Sequence, residues 1–235
     1  MAAFGKINAP SLKDICVQEI LTKILSGELK PGDRLPPERE LAEVMGISRS
    51  SINHGIMELE TMGFLTITPR RGTIVNDYRR RPTPQSLAAV MRYSSVEMEE
   101  SLFSDLMATR LLIEVESARL ACTNIYDTTV EKMRKLVEEL SQEPEDPTEL
   151  LYRFHYLLTA ASGNSVYSMI YRGFETVLCT LIRQHYSMRG EDIKESAQLH
   201  GQLLEAIVRK DELAAQELAR RILTQGITVL QGRYS

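Results

Sequence analysis

Two clusters of side chains between residues 49 and 73 are of the types that bind nucleic acid. The first holds Arg49, Ser50, Ser51 and Asn53. An arginine can donate two parallel hydrogen bonds to guanine O6 and N7, and an asparagine can pair with adenine N6 and N7. The second, Arg70-Arg71-Gly72-Thr73, offers guanidinium groups and backbone amides that suit phosphates or the minor groove. These contacts require the first cluster to lie on a helix and the second on a hairpin.

The surrounding residues predict those two elements. Residues 36–46 and 48–63 predict two short helices, because apolar residues recur in both at helical spacing. They meet at Gly46, a residue that commonly ends a helix, and so short a turn is typical of a helix-turn-helix. Residues 64–68 and 73–75 are rich in β-branched residues and predict a hairpin, or wing, with arginines at its tip. The second helix would be the recognition helix, whose N-terminal residues face base edges.

The rest of the chain predicts helices only. A first helix is expected at residues 11–27, where Ser11 and Asp14 have the spacing of a capping box. Residues 76–84 are polar and rich in arginine and contain two prolines, which predicts a linker. The helices expected after it span 84–93, 98–124, 127–141, 149–161, 164–188, 192–209 and 211–231.

The expected fold class is therefore mainly α. Residues 1–76 should form an N-terminal winged helix-turn-helix with a small β-hairpin wing, and residues 77–84 a linker. Residues 85–235 should form an all-α antiparallel helical bundle, because they show no strand-like alternation.

Charge is distributed unevenly along the 235 residues, whose formal net charge is −4. Residues 1–81 carry 12 Lys and Arg against 10 Asp and Glu, whereas the remainder carries 16 against 22. Only the first part suits a polyanion. Three isolated cysteines, no signal-peptide core and no long apolar run predict a cytoplasmic protein without a membrane partner.

The N-terminal motifs resemble the winged-helix domain of the GntR family of bacterial transcription regulators, in its FadR-like branch. The resemblance rests on GELKPGDRLPPERELAEVMGISRSS, ELETMGFL and RRGTIV. Further on, RFHYLLTAASGNSVYSMI and LHGQLLEAIVRKDELAAQELARRIL resemble the ligand-binding FCD domain of many such regulators. The resemblance implies a homodimeric transcription regulator that reads a palindromic operator in double-stranded DNA and responds to a small-molecule effector.

On the DNA side, the resemblance adds Arg39, on the helix before the recognition helix. The alternative is that Arg39 and Arg49 pair with neighbouring glutamates, as most exposed arginines do. Where relatives usually show Arg-Glu-Ala, this chain has Asn53-His54-Gly55, so its operator should differ from theirs. Gly55 costs about 1 kcal/mol of helix stability relative to alanine, which favours a close approach to a neighbouring helix. Arg70 replaces a common family glycine and should make the wing tip more basic and less flexible.

In the FCD half, the resemblance implies a possible metal site of one Asp and three His. His155 and His200 match two of the histidine positions, but Leu151 stands at the Asp position and Ile222 at the third His. Two imidazoles are too few for a good site, so we expect no metal and no cofactor. Each histidine could instead be a hydrogen-bonded pocket residue or an effector contact.

Arg110 corresponds to an arginine that often faces the effector pocket in this family. Among apolar neighbours it demands an anion, which could be Glu114 one helical turn on or a ligand carboxylate or phosphate. Leu151 and Ile222 make the pocket more apolar than in metal-binding relatives. The resemblance implies a repressor, and the pocket residues favour an anionic organic-acid or acyl-type effector.

Two other functions remain as alternatives. The first is a constitutive DNA-binding regulator whose pocket has lost its ligand, which the missing metal ligands would explain. The second is an enzymatic C-terminal domain, for which the sequence offers no catalytic motif and therefore no catalytic residue.

Overall fold

The structure is a computed structural model that describes residues 11–93, 100–189 and 193–234. Within these ranges it contains eleven helices and one hairpin of two strands. They fall into two compact units, one up to Tyr93 and one from Glu100. None of the helices in these ranges is both long and apolar enough to cross a membrane.

The first unit is a winged helix-turn-helix, as the sequence predicted. Its elements are α1 (Leu12–Leu25), α2 (Glu38–Met45), α3 (Arg49–Thr61), β1 (Leu65–Thr68), β2 (Gly72–Val75) and α4 (Pro84–Tyr93). The predicted capping box starts α1, since Ser11 Oγ accepts from the Asp14 backbone and the Asp14 carboxylate accepts from the Ser11 backbone. Gly46 ends α2 with a φ of 65°, a left-handed conformation that glycine adopts readily.

Helices α1 and α3 pack closely because Gly55 has no side chain. A Cβ built at Gly55 would lie 3.0 Å from the Cys16 Sγ and 3.6 Å from the carbonyl oxygen of Lys13. Cys16 is fully buried at this crossing, and Ile52 and Ile56 on α3 are buried in the same unit. The close approach expected from a glycine inside α3 is confirmed, and it fixes how the helix is seated.

The second unit is all helical in its described residues. Its elements are α5 (Glu100–Asn124), α6 (Asp127–Leu140), α7 (Thr148–Ala161), α8 (Ser165–Gly173), α9 (Glu175–Arg189), α10 (Ile193–Val208) and α11 (Glu212–Tyr234). One expectation was wrong: the single helix expected at 164–188 is divided into α8 and α9. The break lies at Phe174, whose backbone N–H bonds to the carbonyls of Ile170 and Tyr171 as α8 ends.

The segment after the wing differs from the expected linker at 77–84. Tyr78 packs its ring against Phe64, with the ring centroids 5.0 Å apart. Thr83 and Ser86 exchange backbone-to-hydroxyl hydrogen bonds of 2.8 and 2.9 Å at the start of α4. Helix α4 therefore packs with the first unit, whereas the sequence assigned it to the helical bundle. The polar composition of residues 77–84 predicted a linker. Composition alone cannot reveal that Tyr78 contacts Phe64, which lies fourteen positions earlier in the chain.

Candidate nucleic-acid interface and buried pocket

Helix α3 turns one face into the core and the other to solvent. Ile52 is buried, whereas Arg49 and Ser50 are exposed. Ser48 caps the helix, because its Oγ accepts a 3.1 Å hydrogen bond from the backbone N–H of Ser51. The Ser51 hydroxyl lies 2.9 Å from the same oxygen. Of the predicted readout residues, Arg49 and Ser50 are therefore open to a ligand, and Ser51 is partly engaged in the cap.

The two arginines of this surface differ in their partners. Arg39 lies on α2 and forms an exposed ion pair with Glu43, with 3.5 Å between Nε and Oε1. Such pairs contribute about 0–1 kcal/mol, so a phosphate can displace the glutamate at little cost. No carboxylate within the described ranges pairs with Arg49. The alternative that these arginines pair with neighbouring glutamates therefore holds for Arg39. All the N–H groups of the Arg49 guanidinium remain available to a ligand.

Asn53 occupies the next turn of α3 and is half-buried. Its Nδ2 donates a 2.9 Å hydrogen bond to Glu38 Oε1 at the start of α2. Sequence reasoning treated Asn53 as a free base-reading amide and did not identify this partner. The two residues are fifteen positions apart, and only the crossing of α2 and α3 brings them together.

The wing tip carries an arginine in a strained backbone conformation. Residues 68–71 form a β-turn, in which the Arg71 N–H bonds to the carbonyl oxygen of Thr68 at 3.0 Å. Pro69 is its second residue, and Arg70 its third, with a φ of 64°. A turn with proline second and a positive φ third is of type II, which favours glycine at the third position. Arg70, Arg71, Gly72 and Thr73 thus lie together at the tip, with both arginines exposed.

Arg70→Gly is expected to stabilise the wing and weaken DNA binding together. Glycine removes the strain of the left-handed conformation and should stabilise the hairpin by up to about 1 kcal/mol. If Arg70 contacts a phosphate, its loss should lower the salt dependence of binding by about one counterion. Hydrogen exchange of the β1 and β2 amides and DNA titrations at several salt concentrations measure the two effects. Arg71→Ala is the control, because it removes a charge without relieving strain and should only weaken binding.

The second unit encloses a pocket of about 710 Å³. Its apolar lining includes Leu151, Leu199 and Ile222. Its polar lining includes Arg110, His155 and His200, which were the three predicted effector contacts, and the charged side chains Glu195, Glu217, Arg220 and Arg221. The structure therefore brings the predicted pocket residues to one cavity.

A buried chain of contacts runs behind the pocket. Arg110 Nε donates to Glu114 Oε1 at 2.5 Å, and Glu114 Oε2 lies 2.5 Å from His155 Nδ1. His155 Nε2 lies 3.2 Å from His200 Nε2, and His200 Nδ1 lies 2.7 Å from the backbone carbonyl oxygen of Ser196. The Glu114 side chain is fully buried. Of the two anions left open for Arg110, the internal carboxylate is thus the one in place.

The partners of this chain define its protonation. A carbonyl oxygen can only accept, so His200 Nδ1 carries a hydrogen towards Ser196. Burial, followed by the charge of His155, lowers the pKa of His200 to about 3. Burial alone would raise the pKa of Glu114, but the charges and hydrogen bonds of Arg110 and His155 lower it to about 2. At neutral pH Glu114 is therefore ionised and His200 is neutral.

The pocket lining also carries charged side chains of both signs. Arg110 is paired with the buried Glu114. The exposed guanidinium groups of Arg220 and Arg221 line the pocket with Glu195 and Glu217, and a guanidinium can bind a ligand carboxylate through two parallel hydrogen bonds.

The donor set does not fit the metal site implied by the family resemblance. Leu151 and Ile222 both line the pocket at the positions expected for an Asp and a His. They offer no donor atom, so of the four ligands that the resemblance implies only His155 and His200 remain. Across the described ranges, no group of three or more His, Cys, Asp or Glu is arranged to hold a metal ion.

His200→Asn should reduce the loss of stability below pH 6.5. A pKa near 3 in the fold and near 6.5 in the unfolded chain means that the unfolded chain binds more protons between these values. Stability therefore falls as pH drops below 6.5, by at most about 1.4 kcal/mol per unit for this group. Urea denaturation at pH 7, 6 and 5 measures the slope, with the exposed histidine variant His54→Asn as control. Parallel slopes for wild type and His200→Asn would contradict the assignment.

Two residues in or near the pocket were not predicted from the sequence. Tyr171 is buried, and burial followed by the charge of Glu114 raises its pKa well above the usual value. Tyr186 lines the pocket and donates a 2.7 Å hydrogen bond to Ser196 Oγ. Neither lies in a recognisable motif, and both reach the site from helices whose packing is not local in sequence.

Comparisons with known proteins match both units. The family described as "Bacterial regulatory proteins, gntR family" matches residues 13–75, and the FCD domain matches residues 105–225. The fatty acid metabolism regulator protein of Shewanella sp. (strain MR-4) is 28% identical over 181 residues, covering 77% of this chain and 74% of that protein. The HTH-type transcriptional regulator Mce2R of Mycobacterium tuberculosis (strain CDC 1551 / Oshkosh) is 25% identical over 234 residues, covering 97% and 95%.

A solved structure shows the same fold over 97% of this chain. It belongs to Lar, described as controlling the expression of the Listeria monocytogenes agr system and mediating virulence. The TM-score is 0.63 at 19% sequence identity, with 97% of this chain and 100% of that chain covered. A GntR family member from Pseudomonas syringae pv. tomato str. DC3000 gives a TM-score of 0.52 at 20% identity, covering 94% and 85%. At these identities the likeness concerns the fold alone.

Proposed function

The chain belongs to the GntR family of bacterial regulatory proteins and carries an FCD domain, and from this premise we propose that it is an effector-responsive repressor of transcription. The family model and the relatives named above are those of transcription regulators, so DNA binding is the established part of this function. The observation that carries the finer proposal is the pocket of the FCD domain, in which arginine and histidine side chains lie beside an apolar lining.

Sequence-specific reading of DNA is supported by the surface of the first unit. Arg49 and Ser50 are exposed at the N-terminal end of the recognition helix α3. Arg39 on α2 and Arg70 and Arg71 on the wing add exposed cations. We propose that Arg49 reads a base, that Arg39 and the wing contact phosphates or the minor groove, and that Ser51, Asn53, Gly72 and Thr73 complete the surface.

The pocket supports an anionic effector with an apolar part. Arg110, His155 and His200 line the cavity with Arg220 and Arg221, and these side chains offer hydrogen-bonding partners to a carboxylate. Leu151, Leu199 and Ile222 line the cavity with hydrocarbon. An organic acid or acyl compound offers both groups, and several relatives are named fatty acid metabolism regulators.

We place the protein in the cytoplasm as a homodimer that reads a palindromic operator, because two-fold protein symmetry matches two-fold operator symmetry. An effector can release the operator only if it binds one arrangement of the two DNA-binding domains better than the other. A coupling of about 1–3 kcal/mol, or 5- to 150-fold in operator affinity, suffices for such a response.

Selection from random duplex DNA followed by effector titration tests the proposal. The full chain should enrich a palindromic sequence, and octanoate, palmitate or palmitoyl-coenzyme A should weaken its binding. Enrichment of no sequence contradicts sequence-specific DNA reading. An operator affinity unchanged by any of these compounds contradicts the acyl-type effector and favours the constitutive regulator.

A pocket variant separates the effector response from DNA binding. Ile222→Trp fills part of the cavity and should abolish the response while leaving operator affinity unchanged. Leu213→Trp is the matched control, because Leu213 lies on the same helix and is 80% exposed. An unchanged response in Ile222→Trp would place effector binding elsewhere.

A further inference from the structure

The contact between Glu38 and Asn53 determines which end of the Asn53 amide faces DNA. The two ends of an asparagine amide differ, since the nitrogen donates and the oxygen accepts hydrogen bonds. An ionised carboxylate only accepts, so the end that faces Glu38 at 2.9 Å must be the nitrogen. The Oδ1 end therefore points away from Glu38, and α2 imposes one of two possible amide orientations on α3.

The position of Asn53 makes this orientation relevant to base reading. Asn53 lies one helical turn after Arg49, on the N-terminal half of the recognition helix. It is half-buried, so the amide is held in place without being withdrawn from the surface. No hydrogen-bond donor within the described ranges is bonded to its Oδ1. An acceptor is therefore available to a base.

In the major groove, two of the four bases can donate a hydrogen bond to Asn53 Oδ1 and the other two cannot. Adenine presents an amino group at N6 and cytosine one at N4, and both donate. Guanine and thymine present the carbonyl oxygens O6 and O4, which only accept and would oppose Asn53 Oδ1. Without Glu38, the amide could rotate and present its nitrogen to guanine or thymine instead.

We propose that Glu38 is a specificity-determining residue, which fixes the Asn53 amide so that one position of each half-site prefers an amino base, adenine or cytosine, over a keto base, guanine or thymine. The inference rests on the proposed reading of an operator by α3. Glu38 acts through Asn53 and makes no base contact of its own. This role would explain why the acidic side chain of Glu38 lies at a surface proposed to face DNA: its carboxylate orients the Asn53 amide.

Selection from random duplex DNA with wild type, Glu38→Ala and Glu40→Ala tests this role. Wild type and Glu40→Ala should prefer adenine or cytosine over guanine or thymine by about 10-fold at one position of each half-site. Glu38→Ala should lose this preference and keep the others. Glu40→Ala is the matched control, because it removes the same charge from an exposed residue in the same turn of α2.

A rescue variant tests whether Glu38 acts through Asn53. In Glu38→Ala/Asn53→Asp the carboxylate of residue 53 presents an acceptor in either orientation, so the amino-base preference should return. Circular dichroism and thermal denaturation confirm that each variant is folded. Base preferences that Glu38→Ala leaves unchanged, or that the double variant does not restore, would overturn the inference. Enrichment of no sequence by the wild type would overturn the proposed function and this inference with it.

Discussion

Glu114→Gln is expected to lower the free energy of unfolding by about 3–5 kcal/mol. Glutamine has nearly the same shape, so the substitution opens no cavity, but it leaves the Arg110 guanidinium buried without its anion. The Arg110 side chain is 13% exposed and that of Glu114 is fully buried, so water can replace little of the lost interaction. Urea denaturation measures the change, followed by circular dichroism because the chain contains no tryptophan.

The matched control for this prediction lies two residues further along α5. Glu116 pairs with Arg119 at 2.6 Å, but both side chains are about one-third exposed. Glu116→Gln should therefore cost no more than about 1 kcal/mol. Adding Arg110→Met to Glu114→Gln removes the unpaired cation and should recover much of the stability. Equal, small effects at Glu114 and Glu116 would mean that water enters the pocket and hydrates Arg110.

Local signals in the sequence predicted most of the fold. Caps, glycines and apolar spacing placed α1, α2 and α3, since these features act within a few residues along the chain. The same signals could not show the break at Phe174, because helical apolar spacing continues across it. They also failed after the wing, where Tyr78 packs on Phe64 through a contact between distant positions. Local chemistry therefore fixes the elements, and tertiary contacts decide where two of them end or pack.

In the candidate sites, too, the residue types could be predicted from the sequence, whereas the contacts between distant side chains could not. Residue types predicted Arg49 and Arg70 as cations of a candidate interface, but Arg70's left-handed φ and its type II turn became visible only in the structure. His155 and His200 are 45 positions apart, and the resemblance to FCD domains predicted a shared pocket but no direct contact. Glu114 was one of two anions open for Arg110 and proves to hold His155 as well. Networks of this kind depend on helix packing, which residue spacing does not encode.

Arg49→Ala is expected to lower operator affinity by about 5- to 150-fold, the range of one bidentate base contact. Arg49 is exposed at the first residue of α3, and no carboxylate in the described ranges competes for its guanidinium. The variant should therefore lose discrimination at one base pair of each half-site, which a purely phosphate-bound arginine would not show. Fluorescence anisotropy with the selected operator and its single-base variants measures both effects.

The size of the affinity loss in Arg49→Ala, and whether it depends on the base sequence, distinguish base reading from general attraction to a polyanion. Arg209→Ala removes the same charge from an exposed position in the second unit, so it controls for net charge. Arg39→Ala should weaken all sequences alike, because its exposed pair with Glu43 suits a phosphate contact. If Arg49→Ala also weakens all sequences alike, Arg49 binds the backbone and the base specificity of α3 must come from Ser50 or Asn53. If it relaxes one base position while Arg39→Ala relaxes none, the two arginines divide base reading and phosphate binding between α3 and α2.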